Sequence, residues 1–185
     1  MELTKKCVLV FGTGISGIGA AHLLLARGAE VVLYDGNTEK DKEALLAEFP
    51  AGSKVRIVLG ELPEAEMEQL DLVVMSPGVP CDLPIVLAMK EKGIRIWGEV
   101  ELAYECGKGD VLAVTGTNGK TTTTSLLGAI MQASHPEVYI VGNIGNPYTE
   151  AAPKMTDDAV TVAEISSFQL ETIEKFAPKV SAILN

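Results

Sequence analysis

Short unbroken apolar runs alternate along this chain with amphipathic or small-residue stretches. In the first hundred residues Cys7–Phe11, 30–34, Val55–Leu59, Leu72–Met75 and 94–97 have the length and composition of buried strands. Between them, residues 18–26 read as a small-residue helix ended by Gly28, which can take the left-handed cap. Residues 39–49, 64–70, 84–92 and Glu99–Cys106 read as further helices. Strands that are apolar throughout must be covered on both faces, so this βα rhythm predicts a parallel, doubly wound sheet. The rhythm resumes with a strand at 111–115, a helix running to Met131, strands at 137–141 and 159–163, and a strand at Val180–Leu184. Ser166 and Gln169 have capping-box spacing for a helix expected to continue to about Lys175, before Pro178. Gly107-Lys108-Gly109-Asp110 is a polar joint, which divides the chain into domains 1–108 and 109–185. A parallel α/β unit does not normally finish on a fresh apolar strand, so the second domain reads as truncated.

Two glycine-bearing turns carry the candidate chemistry. The first, Gly12-Thr13-Gly14-Ile15-Ser16-Gly17, follows a strand, opens a helix, and precedes a strand that ends on Asp35. Taken alone, this is the dinucleotide fingerprint, with Asp35 placed for a ribose hydroxyl. The next turn at a strand end is Ser76-Pro77-Gly78. Ligands of such sheets bind at the carboxyl ends of the strands, so these segments should line one crevice. The plainer alternative for Asp35 and for Ser76-Pro77-Gly78 is an ordinary turn.

The second turn is Gly116-Thr117-Asn118-Gly119-Lys120-Thr121-Thr122-Thr123, again between a strand and a helix. Free backbone N–H groups at a helix start favour a phosphate. Lys120 adds a mobile cation for terminal phosphate oxygens, and the Thr121 hydroxyl suits a Mg²⁺ on the same phosphates. Gly116 and Gly119 are expected to let phosphate approach the backbone. The general phosphate-loop pattern wants a further glycine where this chain has Val114. Gly142-Asn143-Ile144-Gly145 suits close approach to a ligand or a bare loop. Glu164 ends a strand among Val160, Val162, Ala163 and Ile165, which places it inside. A buried carboxylate needs a partner, and a cation such as Mg²⁺ is the simplest one.

Composition narrows the partners. The 185 residues have a formal net charge of −10, shared by both halves, and 47% of them are hydrophobic. No basic face for nucleic acid is available. No apolar run approaches the ~18 residues of a membrane span. Lys5 and Lys6 before an apolar run superficially suggest a leader, but the glycines that follow fit strand, turn and helix better. Cys7, Cys81 and Cys106 are odd in number and lack metal-ligand spacing, as in a protein of the reducing cytoplasm.

The succession of these turns, followed by Glu164-Ile165-Ser166-Ser167-Phe168-Gln169-Leu170-Glu171, resembles the Mur ligase family over essentially the whole chain. The Thr115-Gly116-Thr117-Asn118-Gly119-Lys120-Thr121 loop is shared with folylpolyglutamate synthases, and Val114 is usual there. The Ser166-to-Glu171 stretch is more discriminating and resembles the D-glutamate-adding branch. The resemblance implies a Rossmann-like domain that holds the UDP end of a substrate rather than a dinucleotide. A P-loop ATPase-type α/β domain would follow it. Gly14, Ile15, Ser16, Asp35, Ser76, Pro77 and Gly78 would contact UDP-N-acetylmuramoyl-L-alanine, and Asn143 its muramoyl side. Some relatives carry a basic side chain just after Asp35, where this chain has Gly36 and Asn37.

ATP, held by residues 116–123, would phosphorylate the L-alanyl carboxylate, and the amine of D-glutamate would displace phosphate to give the amide. Lys120 and Glu164 would be catalytic, and Thr121 and Glu164 would hold Mg²⁺. Relatives continue into a histidine, a carbamylated lysine and a further domain. This chain is therefore expected to be a monomeric fragment without ligase activity of its own. The rivals are an NAD-dependent oxidoreductase, which leaves residues 116–121 without a role, and a non-catalytic nucleotide-binding module.

Overall fold

The structure, a computed structural model, describes residues 2–143 and 146–185. By internal packing the chain divides into Met1–Glu99 and Val100–Asn185.

The first unit contains β1 (Cys7–Phe11), α1 (Ile15–Ala26), β2 (Glu30–Asp35), α2 (Lys42–Ala47), β3 (Val55–Leu59), α3 (Glu64–Met67), β4 (Leu72–Met75), α4 (Pro84–Glu91) and β5 (Arg95–Gly98). Its five strands are all parallel, in the order β3-β2-β1-β4-β5. The interior is built from cross-strand rows. Leu9 pairs with Val32 on one side and Val73 on the other, and all three are fully buried. From β1 the chain winds outward through β2 and β3, then returns to β4 on the other flank of β1. That reversal opens a crevice beyond the carboxyl ends of β1 and β4.

The second unit follows with α5 (Glu99–Cys106), β6 (Asp110–Gly116), α6 (Lys120–Gln132), β7 (Val138–Gly142), α7 (Tyr148–Ala151), β8 (Val160–Glu164), α8 (Ser167–Leu170) and β9 (Val180–Leu184). Its sheet is also wholly parallel, ordered β7-β8-β6-β9. α6 lies against β7 and β8 through Gly128, where a Cβ would overlap the Ile140 side chain. A helix can come this close to a sheet only over a residue without a side chain.

Two elements depart from the sequence expectation. The division falls one helix earlier than the joint at 107–110, and α8 stops after four residues instead of reaching Lys175. One residue accounts for both. Glu101, on α5, is completely buried and accepts hydrogen bonds from the backbone N–H groups of Glu174 (2.9 Å), Lys175 (2.8 Å) and Phe176 (3.0 Å). Those donors serve the carboxylate rather than an extended α8, and α5 is thereby tied to the second unit. Removing Glu101 would take the side-chain acceptor from all three, and for the buried Phe176 N–H the cost is on the order of 1–3 kcal/mol. The capping box at Ser166 and Gln169 is present, so the helix start was readable and its end was not.

Candidate functional site

In the first unit β1 ends at Phe11 and the chain turns through Gly12 at a φ of 107°. A Cβ on Gly12 would lie 2.7 Å from Ser76 Oγ, and one on Gly17 would overlap the Gly12 carbonyl oxygen. These two glycines therefore let the turn fold on itself beside β4. Gly14 differs, with nothing within 4 Å of where its Cβ would be. Gly14, Ile15, Ser16, Asp35, Ser76, Pro77 and Gly78 all line one cleft of about 370 Å³, together with Thr13 and Lys40. α1 begins at Ile15, earlier than expected, so Ile15 and Ser16 form its first turn, with Ile15 77% exposed. Ser76 Oγ is buried there and has no hydrogen-bond partner among the described residues.

Asp35, at the end of β2, is held from several sides. Its Oδ2 accepts from Thr13 N (3.3 Å) and Thr13 Oγ1 (2.8 Å), and pairs with Lys40 Nζ at 2.9 Å. Its Oδ1 accepts from Asn37 N at 3.0 Å. Lys40 Nζ also donates to Thr13 Oγ1 at 2.6 Å. Burial alone would raise the Asp35 pKa, but the hydrogen bonds from Lys40, Asn37 and Thr13, with the Lys40 charge, outweigh it and hold the value at about 2. Residues 36 and 37 are not basic, and the cation beside Asp35 comes instead from Lys40. Nothing in the hydrophobic pattern signals this. Asn37 N bonds back to Asp35, and Glu39 N bonds to Asn37 Oδ1 (2.9 Å), so two successive side-chain-capped turns swing Lys40 round.

In the second unit β6 ends at Gly116 and α6 begins at Lys120, with Gly119 as its N-cap in the left-handed region at a φ of 77°. The first N–H bonded within this turn and helix is that of Thr123, to Gly119 O at 2.9 Å. The donors before it, Thr117 N apart, are those a helix start offers to an anion. Thr117, Asn118, Gly119, Thr121 and Thr122 are exposed, and Thr123 is half-buried. Lys120 folds back over the loop, donating to the carbonyls of Gly116 (2.7 Å) and Thr117 (3.2 Å). Gly116 has a packing role that its position in the loop did not suggest. At a φ of 129° its missing Cβ makes room for the Leu184 carbonyl, which also accepts from Thr117 N (3.0 Å). The glycine allows close packing against β9.

Glu164 ends β8 between two strands, opposite Val114 of β6 and Gly142 of β7. It is 4% exposed, and its Oε2 is buried with no partner among the described residues. Asn143 is exposed beside it, with its N–H on the Glu164 carbonyl at 3.2 Å. Ile144 and Gly145 of the same motif lie outside the described residues. The sheet thus gathers Lys120, Thr121, Asn143 and Glu164 around the carboxyl ends of β6, β7 and β8. Among the described residues no three His, Cys, Asp or Glu groups form a metal cage. One carboxylate oxygen lacking a partner and one exposed threonine hydroxyl are instead oxygen donors of the kind that suits a Mg²⁺ shared with bound phosphates. The residues present fit such an ion.

Comparison with known proteins gives a consistent result. Residues 6–98 match the Mur ligase MurD-like N-terminal domain, and residues 114–185 match the Mur ligase middle domain. The chain is 54% identical over 185 residues to the UDP-N-acetylmuramoylalanine–D-glutamate ligase of Lachnospira eligens. It is 44% identical over 186 residues to the enzyme of the same name from Clostridioides difficile. Each alignment covers all of this chain and 41% of the relative, so the chain spans about two fifths of the length of these curated relatives. Among solved structures it is similar to the UDP-N-acetylmuramate:L-alanyl-γ-D-glutamyl-meso-diaminopimelate ligase of Neisseria meningitides, with a TM-score of 0.54 and 19% identity. That superposition covers 96% of this chain and 60% of the other. The UDP-N-acetylmuramate-alanine ligase of Thermotoga maritima gives a TM-score of 0.51 at 21% identity, over 96% of this chain and 40% of the other. At these identities the solved structures speak to the fold.

Proposed function

Because this chain belongs to the Mur ligase family, we propose that it supplies the nucleotide-binding parts of an ATP-dependent ligase. That enzyme joins D-glutamate to UDP-N-acetylmuramoyl-L-alanine. The names of the relatives and the Ser166-to-Glu171 stretch support this substrate pair. On this reading the first unit's cleft takes the UDP end of the substrate. Gly14, Ile15 and Ser16 offer the start of α1 to the diphosphate, and Ser76, Pro77 and Gly78 form the facing wall.

In the second unit residues 116–123 hold the ATP phosphates. Lys120 exchanges its two carbonyl partners for phosphate oxygens, while Thr121 and Glu164 hold Mg²⁺. ATP with Mg²⁺ supplies the phosphoryl group that turns a substrate carboxylate into an acyl phosphate, from which the amine of D-glutamate displaces phosphate. A carboxylate and a triphosphate repel each other, and Lys120, the α6 amides and the Mg²⁺ that Thr121 and Glu164 would hold offset that repulsion. Domains divided near residues 99–108, a monomeric state and a cytoplasmic setting complete the proposal. No helix among the described residues is long and apolar enough to cross a membrane.

The observation that carries the reading is the buried, unpartnered Glu164 oxygen at the end of the strand beside the phosphate loop. Calorimetry of this chain with UDP-N-acetylmuramoyl-L-alanine and with NADH tests the first half. Binding of the UDP compound without NADH is the expected result, and the reverse preference would return the cleft to a dinucleotide.

A further inference from the structure

We propose that Thr124, buried beneath the phosphate loop, is a positioning residue for Glu164. Its hydroxyl, through one buried water, aims the Glu164 carboxylate at the cation. The inference rests on the reading of Glu164 as a Mg²⁺ ligand.

Thr124 lies in α6 and is completely buried, and its Oγ1 has no hydrogen-bond partner among the described residues. Among the described residues of the second unit, Glu164 Oε2 is the other buried side-chain oxygen in that condition. A buried oxygen without a partner is costly, so two of them in one small unit ask for a common explanation.

The sheet register brings the two together. A Cβ on Gly128 would overlap the Ile140 side chain, so Ile140 points toward α6. Ile140 is paired with Val162, and Gly142 with Glu164. Paired residues of parallel strands share a face, as do residues two apart along one strand, so Glu164 points toward α6 as well. α6 starts just beyond the end of β6 and meets β7 at Gly128, and β8 lies between those two strands. The helix therefore crosses β8 on the way. Thr124 stands midway along that crossing, four residues after Lys120 and four before Gly128. Four helical residues rise about 6 Å. The step from Ile140 to Gly142 advances a strand by about 6.6 Å toward its carboxyl end. Thr124 is thus level with Glu164, on the face to which that side chain points.

The two oxygens do not bond to each other directly, since neither has a partner. A water that accepts the Thr124 proton and donates to Glu164 Oε2 satisfies both. The carboxylate is then held in one orientation, with its remaining lone pairs free for the cation. Groups behind a metal ligand commonly act in this way.

The test is calorimetric titration of this chain with ATP, with and without Mg²⁺. It compares wild type with Thr124→Val, Thr124→Ser, Glu164→Gln and the Thr124→Val/Glu164→Gln double variant, each checked for folding by thermal melt. The gain in ATP affinity that Mg²⁺ brings should fall about tenfold in Thr124→Val, which keeps the shape and removes the hydroxyl. Thr124→Ser, which keeps the hydroxyl and loses a methyl, should retain most of the gain. A packing role would give the opposite order. With Glu164 already replaced, Thr124→Val should change ATP binding little further.

The proposal is overturned if Thr124→Val gains as much from Mg²⁺ as wild type does, or if Thr124→Ser does no better than Thr124→Val. It is also overturned if Thr124→Val costs as much with Glu164 replaced as with it present, because Thr124 then acts independently of that carboxylate. A wild type that gains nothing from Mg²⁺ removes the cation reading of Glu164 along with the inference. Should Thr124→Val fail to fold, Thr124→Ala takes its place against Thr124→Ser.

Discussion

Both units place a glycine turn between a central strand and a helix, and in both the strand alongside ends on a carboxylate, yet the two acids are held in opposite ways. Asp35 beside the first turn is held by Thr13, Asn37 and Lys40. Glu164 beside the second turn keeps a buried oxygen without a partner. An unmet buried acceptor costs on the order of 1–3 kcal/mol, so a fold tolerates it where something else will bind. The first acid is a latch within the protein, and the second is, on the proposed reading, one side of a site that a cation completes. Similar turns on similar sheets therefore do different work, and the hydrogen-bond tally of the neighbouring acid tells them apart.

The two lysines extend the comparison. Lys40 is clasped to an acid, whereas Lys120 rests on two backbone carbonyls that a phosphate can outcompete. Lys120→Ala should weaken ATP binding by about 10–100-fold while leaving UDP affinity at the first cleft unchanged. Parallel titrations with both nucleotides check this, and a loss of both together would break the separation of roles.

The glycines sharpen it next. Gly17→Ala drives a Cβ into the Gly12 carbonyl, and Gly116→Ala drives one into the Leu184 carbonyl. Each is expected to lower stability by about 2–3 kcal/mol in denaturant titration. Gly14→Ala meets open space and should cost no more than about 1 kcal/mol, the difference between glycine and alanine at an N-cap.

The smallest effect concerns pH. The Asp35 pKa is lowered to about 2 in the folded chain, so its contribution to stability is complete above the unfolded value of about 4. That contribution is lost as the pH falls from about 4 through about 2. Wild type should therefore lose a few degrees of melting temperature over that window that Asp35→Asn does not lose. Equal acid sensitivity in both would mean that the latch is not ionic.

Most of the strand layout was readable from the chain, because a strand buried on both faces is an uninterrupted apolar run. Cys7–Phe11 and Leu72–Met75 lie where such runs lie. The seven cleft residues expected to gather in the first unit do gather, since each follows the carboxyl end of a parallel strand. What escaped the sequence depends on distant partners or on local turns without periodicity. The short α8 reflects a carboxylate on α5, more than seventy positions away in the chain. Lys40 reaches Asp35 only through side-chain-capped turns. The purpose of Gly116 is visible only once β9 is known to lie beside it. α7 and the 3₁₀ turn after it, Ala152–Lys154, were missed because a four-residue helix is too short to show a period.

The role of Glu164 is the point on which the second unit's reading turns, and the magnesium dependence of ATP binding tests it most directly. Titrating wild type and Glu164→Gln with ATP, each with and without Mg²⁺, should show Mg²⁺ strengthening binding to wild type alone. The variant should be folded and at least as stable, since it no longer buries a carboxylate oxygen without a partner. If Glu164→Gln gains as much from Mg²⁺ as wild type does, the carboxylate holds no cation and the account of the second site fails.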